Sequence, residues 1–285
     1  MSSAPSNFYV VKKGHKTGIF KTWGECKSAT EGFKGAIFKK FDSFEKANEF
    51  LRSKESGYLT TKSYTDDKPV TQAQATRLAS SEEMEKIKKM AENIKSAPFS
   101  EELNYNVAGW NTIENEIYLF TDGSSRKSRD MPNSGVGLYL GYQCTNINEQ
   151  YDNRTNNQCE LQAMDYAFKL IVRYYRELSA MGKVVKIVSD SEYTIKACSL
   201  WIANWKKNNW KTAKGEDVKN RELIESIDAS MNRVRVINSQ LPDDKKIKVK
   251  LIHVNSHQAP DMTDKTKFSI WFGNYVADGL AQNTI

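Results

Sequence analysis

Four carboxylates stand where chemistry can be done: Asp122, Glu160, Asp190 and Asp278. Asp122 ends an apolar run, Ile117 to Thr121, that reads as a buried strand, and Asp190 ends a second, Val184 to Val188. Glu160 opens a long amphipathic helix, and Asp278 lies in the last helix. Singly, each is an ordinary surface or cap residue, because Asp commonly ends strands and caps helices. Together they repel unless cations neutralise them, and oxygen ligands without His or Cys select Mg²⁺ or Mn²⁺. Two such ions, about 3.5 to 4 Å apart, activate a water and stabilise the leaving oxygen of a phosphodiester.

Residues suited to a nucleic acid stand close by in sequence. Asn156 and Asn157 precede Glu160, and their amides suit a 2′-hydroxyl, which is both donor and acceptor; they equally suit capping of the helix they precede. Residues 205–221 carry six basic side chains against Glu216 and Asp217, in a stretch that also holds Trp201, Trp205 and Trp210. Trp201 and Trp205, at i and i+4, read as core. Trp210 reads as a ring lying against a sugar, with Lys206, Lys207 and Lys211 meeting phosphates.

The elements that must position these residues follow an α/β pattern from Glu116 onward. Strands are expected at Ile117–Thr121, Gly135–Gly141, up to Tyr151, Val184–Val188 and Lys248–Val254. Helices are expected from Glu160 to about Met181, from Ser191 to about Trp205, at Glu222–Met231, and, short, at about Asn274–Asn283. Ahead of them, Phe8–Val11 and Gly18–Phe20 read as a hairpin, Thr22 and Glu25 as a capping box, Ala36–Phe41 as a third strand, and Ser43 to Leu51 as a helix. Between these modules apolar density falls, and Ser80–Lys95 reads as a solvated segment with transient helix. The division is a tail (1–7), a small α+β module (8–54), a flexible linker (55–112) and an α/β domain (113–285).

Charge follows the same division. Residues 1–54 carry 11 basic against 5 acidic side chains, residues 55–115 carry 7 against 10, and residues 116–285 carry 24 against 20. A net charge of +7 suits a polyanionic partner. Cys26, Cys144, Cys159 and Cys198 have no CxxC spacing, which argues against a zinc site or a disulfide framework and fits a reducing compartment. No apolar run approaches the roughly 18 residues of a membrane span. Met1–Asn7 has no basic residue, which leaves mitochondrial import unsupported and favours nucleus or cytoplasm.

Thr121-Asp122-Gly123-Ser124, Thr155-Asn156-Asn157-Gln158-Cys159-Glu160, Ser189-Asp190-Ser191 and Ala277-Asp278 resemble, in order and spacing, the four acidic motifs of ribonuclease H type 1. The resemblance covers residues 117–283. It implies a ribonuclease H-like mixed five-stranded sheet flanked by helices. It also implies two Mg²⁺ ions on the four carboxylates, with Mn²⁺ able to substitute, and hydrolysis of the RNA strand of RNA–DNA hybrids to 5′-phosphate and 3′-hydroxyl ends. His257, in Asn255-Ser256-His257, resembles the family's loop histidine, a proton shuttle or an aid to product release; it also reads as an exposed loop residue. His253 reads as structural, and His15 as a residue of a basic hairpin that can meet phosphate.

From the same resemblance, Asn156 and Asn157 contact 2′-hydroxyls, and Thr155 with Asn220 grips a DNA phosphate, with Arg154 a further phosphate ligand. Phe8-Tyr9-Val10-Val11, Thr22-Trp23 and Phe38-Lys39-Lys40-Phe41 resemble the family's N-terminal hybrid-binding domain, implying contacts from Trp23, Lys39, Lys40 and Tyr9; Trp23 also reads as core of so small a module. Double-stranded RNA is a further ligand open to this module, and no protein partner is inferable.

Two departures stand out. His257 and Asp278 are 21 residues apart, with Ala259–Trp271 inserted, and Gly273-Asn274-Tyr275 matches the family at Asn274 but not at Tyr275. The rival readings are a non-catalytic binder on the same fold, which the full carboxylate set opposes, and a strand-transfer enzyme of the same superfold.

Overall fold

The computed structural model describes residues 8–20, 22–33, 37–41, 61–63, 77–128, 130–181, 184–256 and 259–285. The chain divides into two compact units, residues 1–57 and 58–285.

In the first unit, β1 (Phe8–Lys13) lies between β2 (Gly18–Phe20) and β3 (Ile37–Phe41) in an antiparallel sheet, with helix α1 (Trp23–Thr30) packed on it. The Thr22 hydroxyl accepts from Glu25 N while the Glu25 carboxylate accepts from Thr22 N, so two otherwise orphaned donors are satisfied at once. Val11, Cys26 and Ala29 form a small core, with Tyr9 and Phe20 against it. The helix expected from Ser43 to Leu51 lies outside the described residues.

In the second unit five long strands run in the order β11 (Lys248–His253), β10 (Val184–Ser189), β7 (Glu116–Ser125), β8 (Ser134–Tyr139) and β9 (Asn146–Tyr151). The β11–β10–β7 pairs are parallel and the β7–β8–β9 pairs antiparallel, giving the expected mixed sheet. Three short strands extend it: β4 (Thr61–Ser63) beside β11, β5 (Ser96–Ala97) beside β9 and β6 (Asn111–Ile113) beside β7. Alternation along β7 feeds two cores. Ile117 and Leu119 face the cluster built with α3 (Asn156–Arg173) and α7 (Arg221–Ser239). Tyr118 and Phe120 face the cluster built with α8 (Lys265–Gln282).

Three expectations need correction. The long helix breaks at Tyr174, leaving α4 (Tyr175–Met181) as a separate piece. The last helix has 18 residues, not one short turn group, because Asp264 caps it by accepting from Thr266 N (2.9 Å) and Lys267 N (3.1 Å). Most of the Ala259–Trp271 insertion is therefore the first half of α8, where Phe268, Trp271, Phe272 and Tyr275 stack along one another at helical spacing. Finally, residues 77–112 are not a solvated linker. Helix α2 (Ser81–Ala91) carries a Ser80–Glu83 capping box, Ala91 and Ile94 are buried in the α8-side core, and Tyr105, Val107 and Trp110 are buried in the other.

Candidate active site and nucleic-acid interface

Each carboxylate is placed by a local device. Asp122 sits within β7 rather than at its end, since pairing with β8 continues to Ser125. Helix α3 begins at Asn156 because Thr155 and Gln158 form a capping box, which puts Glu160 in its second turn. Gly123 lets the helix come this close: a Cβ there would lie 2.2 Å from Glu160 N. Asp190 follows β10 directly, and the ring of His253, opposite Ser189, donates from Nε2 to the Asp190 carbonyl oxygen at 3.0 Å. His253 thus braces backbone, in keeping with its structural reading. Asp278 is brought in because α8 lies directly on β8; a Cβ on Gly137 would meet Ala277 O at 2.0 Å. Gln282, one turn on, donates from Nε2 to Asp278 Oδ1 at 2.6 Å.

One oxygen from each of Asp122, Glu160 and Asp190 lies within 4.8 Å of the others, and the charge of Asp278 acts on both Asp122 and Asp190. Asp122 and Glu160 are only 5% and 3% exposed. Burial first, and then the charges of Glu160, Asp190 and Asp278, hold the Asp122 carboxyl well above the usual carboxylate range. Burial and the Asp190 charge push Glu160 up to about 8, and Asp190 is also raised, mainly by burial. Glu160 Oε2 is buried without any hydrogen-bond partner among the described residues. An orphaned buried carboxylate oxygen among like charges fits a hard divalent cation, whose charge would reverse these shifts.

The residues expected to meet a substrate divide. Because Thr155 caps α3, Asn156 and Asn157 are its first two helical residues and both are exposed; Asn156 Nδ2 makes a long 3.5 Å contact to Glu160 Oε1. The Thr155 hydroxyl is occupied in the cap. Asn220 adopts a left-handed backbone ahead of α7. Arg154 stacks 3.6 Å over Tyr151 and donates to Gln162.

The tryptophans exchange the roles expected of them. Trp210 is 9% exposed in the main core, under the Arg221 guanidinium at 5.0 Å, because the chain folds back and Val218 N donates to Trp210 O. It is not placed to meet a sugar. Trp201 and Trp205 are half-buried and continue a row from Tyr193. That row borders a π turn (Ala197–Trp201) between α5 (Glu192–Lys196) and α6 (Ile202–Lys207). Lys206 pairs with Asp228 and Lys211 with Asp217; Lys207 is exposed. Such surface pairs contribute about 0 to 1 kcal/mol, so phosphate can displace them.

In the N-terminal unit, Trp23 lies 5.7 Å from Tyr9 and 5.8 Å from Phe38, with Trp23 and Phe38 49% and 44% exposed. Trp23 is therefore surface, not core. Lys40, paired with Tyr9, reaches 5.9 Å over the Tyr9 ring. Strand alternation sends Lys39 to the other face, where it lies 5.6 Å over Phe41. His15 is bound to the Glu31 carbonyl and packs edge-on to Phe33. His257 lies outside the described residues.

Phe38, Tyr193 and Gln282 escaped the sequence reading. Signals existed for each: Phe38 shares strand parity with Lys40, Tyr193 precedes Trp201 along one helical run, and Gln282 stands at i+4 from Asp278.

Comparison with known proteins agrees with this geometry. A family model described as RNase H matches residues 114–285, and one described as Ribonuclease H1 N-terminal domain matches residues 7–51. A ribonuclease H of Schizosaccharomyces pombe is 31% identical over 290 residues, 96% of each chain. Ribonuclease H1 of Homo sapiens is 30% identical over 226 residues, 75% of each. Among solved structures, the PFV RNase H domain is 23% identical with a TM-score of 0.40, covering 59% of this chain and 92% of that one. Mixed sheet and enclosed carboxylates define the class, a nuclease hydrolase of the metal-dependent, acidic-site kind. The chain belongs to the ribonuclease H family.

Proposed function

We propose that this protein is an endonuclease that hydrolyses the RNA strand of RNA–DNA hybrids, leaving 5′-phosphate and 3′-hydroxyl ends. The observation that carries the reading is the carboxylate cluster with its orphaned Glu160 oxygen. Asp122, Glu160, Asp190 and Asp278 are the residues to hold two Mg²⁺ ions, which when bound would neutralise the carboxylates, activate a water and stabilise the leaving oxygen. Gln282 fixes which way the Asp278 carboxylate turns, and His253 fixes the backbone that presents Asp190. Asn156 and Asn157 meet 2′-hydroxyls beside the cluster. The Tyr193–Trp201–Trp205 row and Lys207 suit the DNA strand, and Thr155 and Asn220 a phosphate of that strand. His257 serves proton transfer or product release.

In the N-terminal unit, Tyr9, Trp23 and Phe38 offer a stacking surface, with Lys40 supplying charge on the same face. Hybrid held there remains at high local concentration for the catalytic unit. The end chemistry is tested by mass analysis of the fragments cut from a hybrid with Mg²⁺. Fragments bearing 5′-phosphate and 3′-hydroxyl are expected; 3′-phosphate or cyclic phosphate ends would overturn the mechanism.

A further inference from the structure

The sheet of the second unit has one edge that is only half covered. β11 is its last long strand, and β4 pairs with it only at Leu251, Ile252 and His253, through Thr61, Lys62 and Ser63. Among the described residues no strand pairs with the outer side of Lys248, Val249 and Lys250. Such an edge leaves backbone donors and acceptors ready for an added strand. Between α7 and β11 lies an apolar dimple of about 20 Å³, lined by Phe168, Met231, Val234, Ile247 and Val249. Asn238, also at its rim, is committed to the backbone N and O of Ile247. The dimple admits a methyl group or two and is too apolar to order a water.

β4 runs parallel to β11, so its register extends backwards along the chain: Thr60 falls beside Lys250, Leu59 beside Val249 and Tyr58 beside Lys248. Residues paired in a sheet share a face. Val249 and Leu251 face the α7 side, which sends Leu59 to the dimple and Tyr58 and Thr60 to the side of Lys248 and Lys250. Leu59 is the sole aliphatic residue between Leu51 and Val70, and Gly57, a strand breaker, stands where this pairing would begin. Tyr and Thr suit a strand. β4 alone, with 3 residues, is shorter than the usual strand of about five or six, whereas an extended β4 would match the 6 residues of β11.

Residues 58–60 lie outside the described residues. We propose that they are the occupant of this edge: Tyr58 to Thr60 lengthen β4 along Lys248 to Lys250, with the Leu59 side chain seated in the dimple as the anchor. The strand then fixes where the linker joins the second unit. With it held, the free chain after β3 is residues 42–57; with it released, that chain is residues 42–76. Local concentration falls roughly as the −3/2 power of tether length, so release lowers it about threefold. This consequence, though not the docking itself, rests on the hybrid-cleaving function above.

The docking is tested in the full chain with two pairs of engineered cysteines, the native cysteines all being buried. In the proposed register the Cα atoms of Tyr58 and Lys248 are about 4.8 Å apart, within reach of a disulfide, whereas those of Tyr58 and Lys250 are about 8 Å apart and out of reach. Tyr58→Cys with Lys248→Cys should oxidise to an intrachain disulfide, found by peptide mass analysis, and Tyr58→Cys with Lys250→Cys should not. Linkage in both pairs or in neither overturns the docking, as does a linked dimer in place of the monomer, which would put a second copy in the edge. This arm uses no substrate, so its failure is distinct from failure to cut a hybrid. Leu59→Asp, with thermal unfolding to check that it folds, should raise KM about threefold at unchanged kcat on hybrids long enough for both units. On hybrids that only the catalytic unit can hold, KM should not move. An unchanged KM on the long hybrids overturns the role of the tether.

Discussion

Trp23 and Phe38 present 49% and 44% of their surface to solvent, whereas Asp122 and Glu160 present 5% and 3%. The first pair belongs to a face of rings and a lysine, built on a three-stranded sheet with a core of few residues. The second is enclosed by a mixed sheet and two helices, at glycines that let backbones nearly touch. Exposure suits groups that must stack on any hybrid they meet, since a base or sugar covers them without displacing protein. Enclosure suits groups that must hold cations, since desolvation and mutual repulsion make the carboxylates costly until a positive charge arrives. On the function proposed above, binding groups are thus kept in ordinary solvent, while the carboxylates are held in a destabilised arrangement within the second unit.

That contrast can be broken most severely at Asp122. Asp122→Asn should lower kcat by about a thousandfold or more, several kcal/mol of transition-state stabilisation, yet raise the melting temperature of the metal-free protein by relieving repulsion; calorimetry in EDTA beside a cleavage assay reads both. Close packing is the next target. Gly123→Ala puts a Cβ 2.2 Å from Glu160 N and should cost about 1 to 3 kcal/mol of stability, as overpacking does, measurable by urea titration, with a fall in metal affinity.

On the binding side, Phe38→Ala and Trp23→Ala should each weaken hybrid affinity by about tenfold, within the 1 to 3 kcal/mol of a stacked ring, raising KM more than they lower kcat. A fall in kcat alone would erase the distinction between the regions. The smallest effect separates two neighbouring lysines: Lys40→Ala should reduce the salt dependence of hybrid binding by about one counterion, and Lys39→Ala, on the opposite face, by less.

The carboxylates also predict a pH dependence. An acid whose folded pKa is raised binds its proton more tightly in the folded state, so stability falls as pH climbs from the unfolded value through the folded one. For Glu160 the window runs from 4.5 to about 8. The metal-free protein should lose stability across it relative to Glu160→Gln, and saturating Mg²⁺ should remove the difference. Metal affinity should rise over the same interval, because binding expels protons.

The sequence made the four carboxylates legible because each adjoins a strong signal: an apolar run before Asp122 and Asp190, an amphipathic helix opening at Glu160, the last helix around Asp278. The α/β class followed from the same runs, and the mixed five-stranded sheet from the family resemblance; the strand order was not read. Trp210 was misread because nothing local reveals that the chain returns at Val218 to cover it. The first half of α8 was missed because its stripe is aromatic and half-buried, and residues 77–112 were missed because their partners, Leu280 and Tyr174 among them, are remote in sequence. Long-range packing overrode weak local pattern at each of these places.

The central claim, that the buried carboxylates cut RNA within hybrids, is tested most directly with a labelled RNA–DNA hybrid and Mg²⁺, beside all-RNA and all-DNA duplexes, for the native protein and Asp190→Asn. Cutting of the RNA strand of the hybrid alone, abolished in the variant, is the predicted result. Binding of the hybrid without cutting at any Mg²⁺ or Mn²⁺ concentration would contradict it and leave a hybrid-binding protein on a nuclease fold.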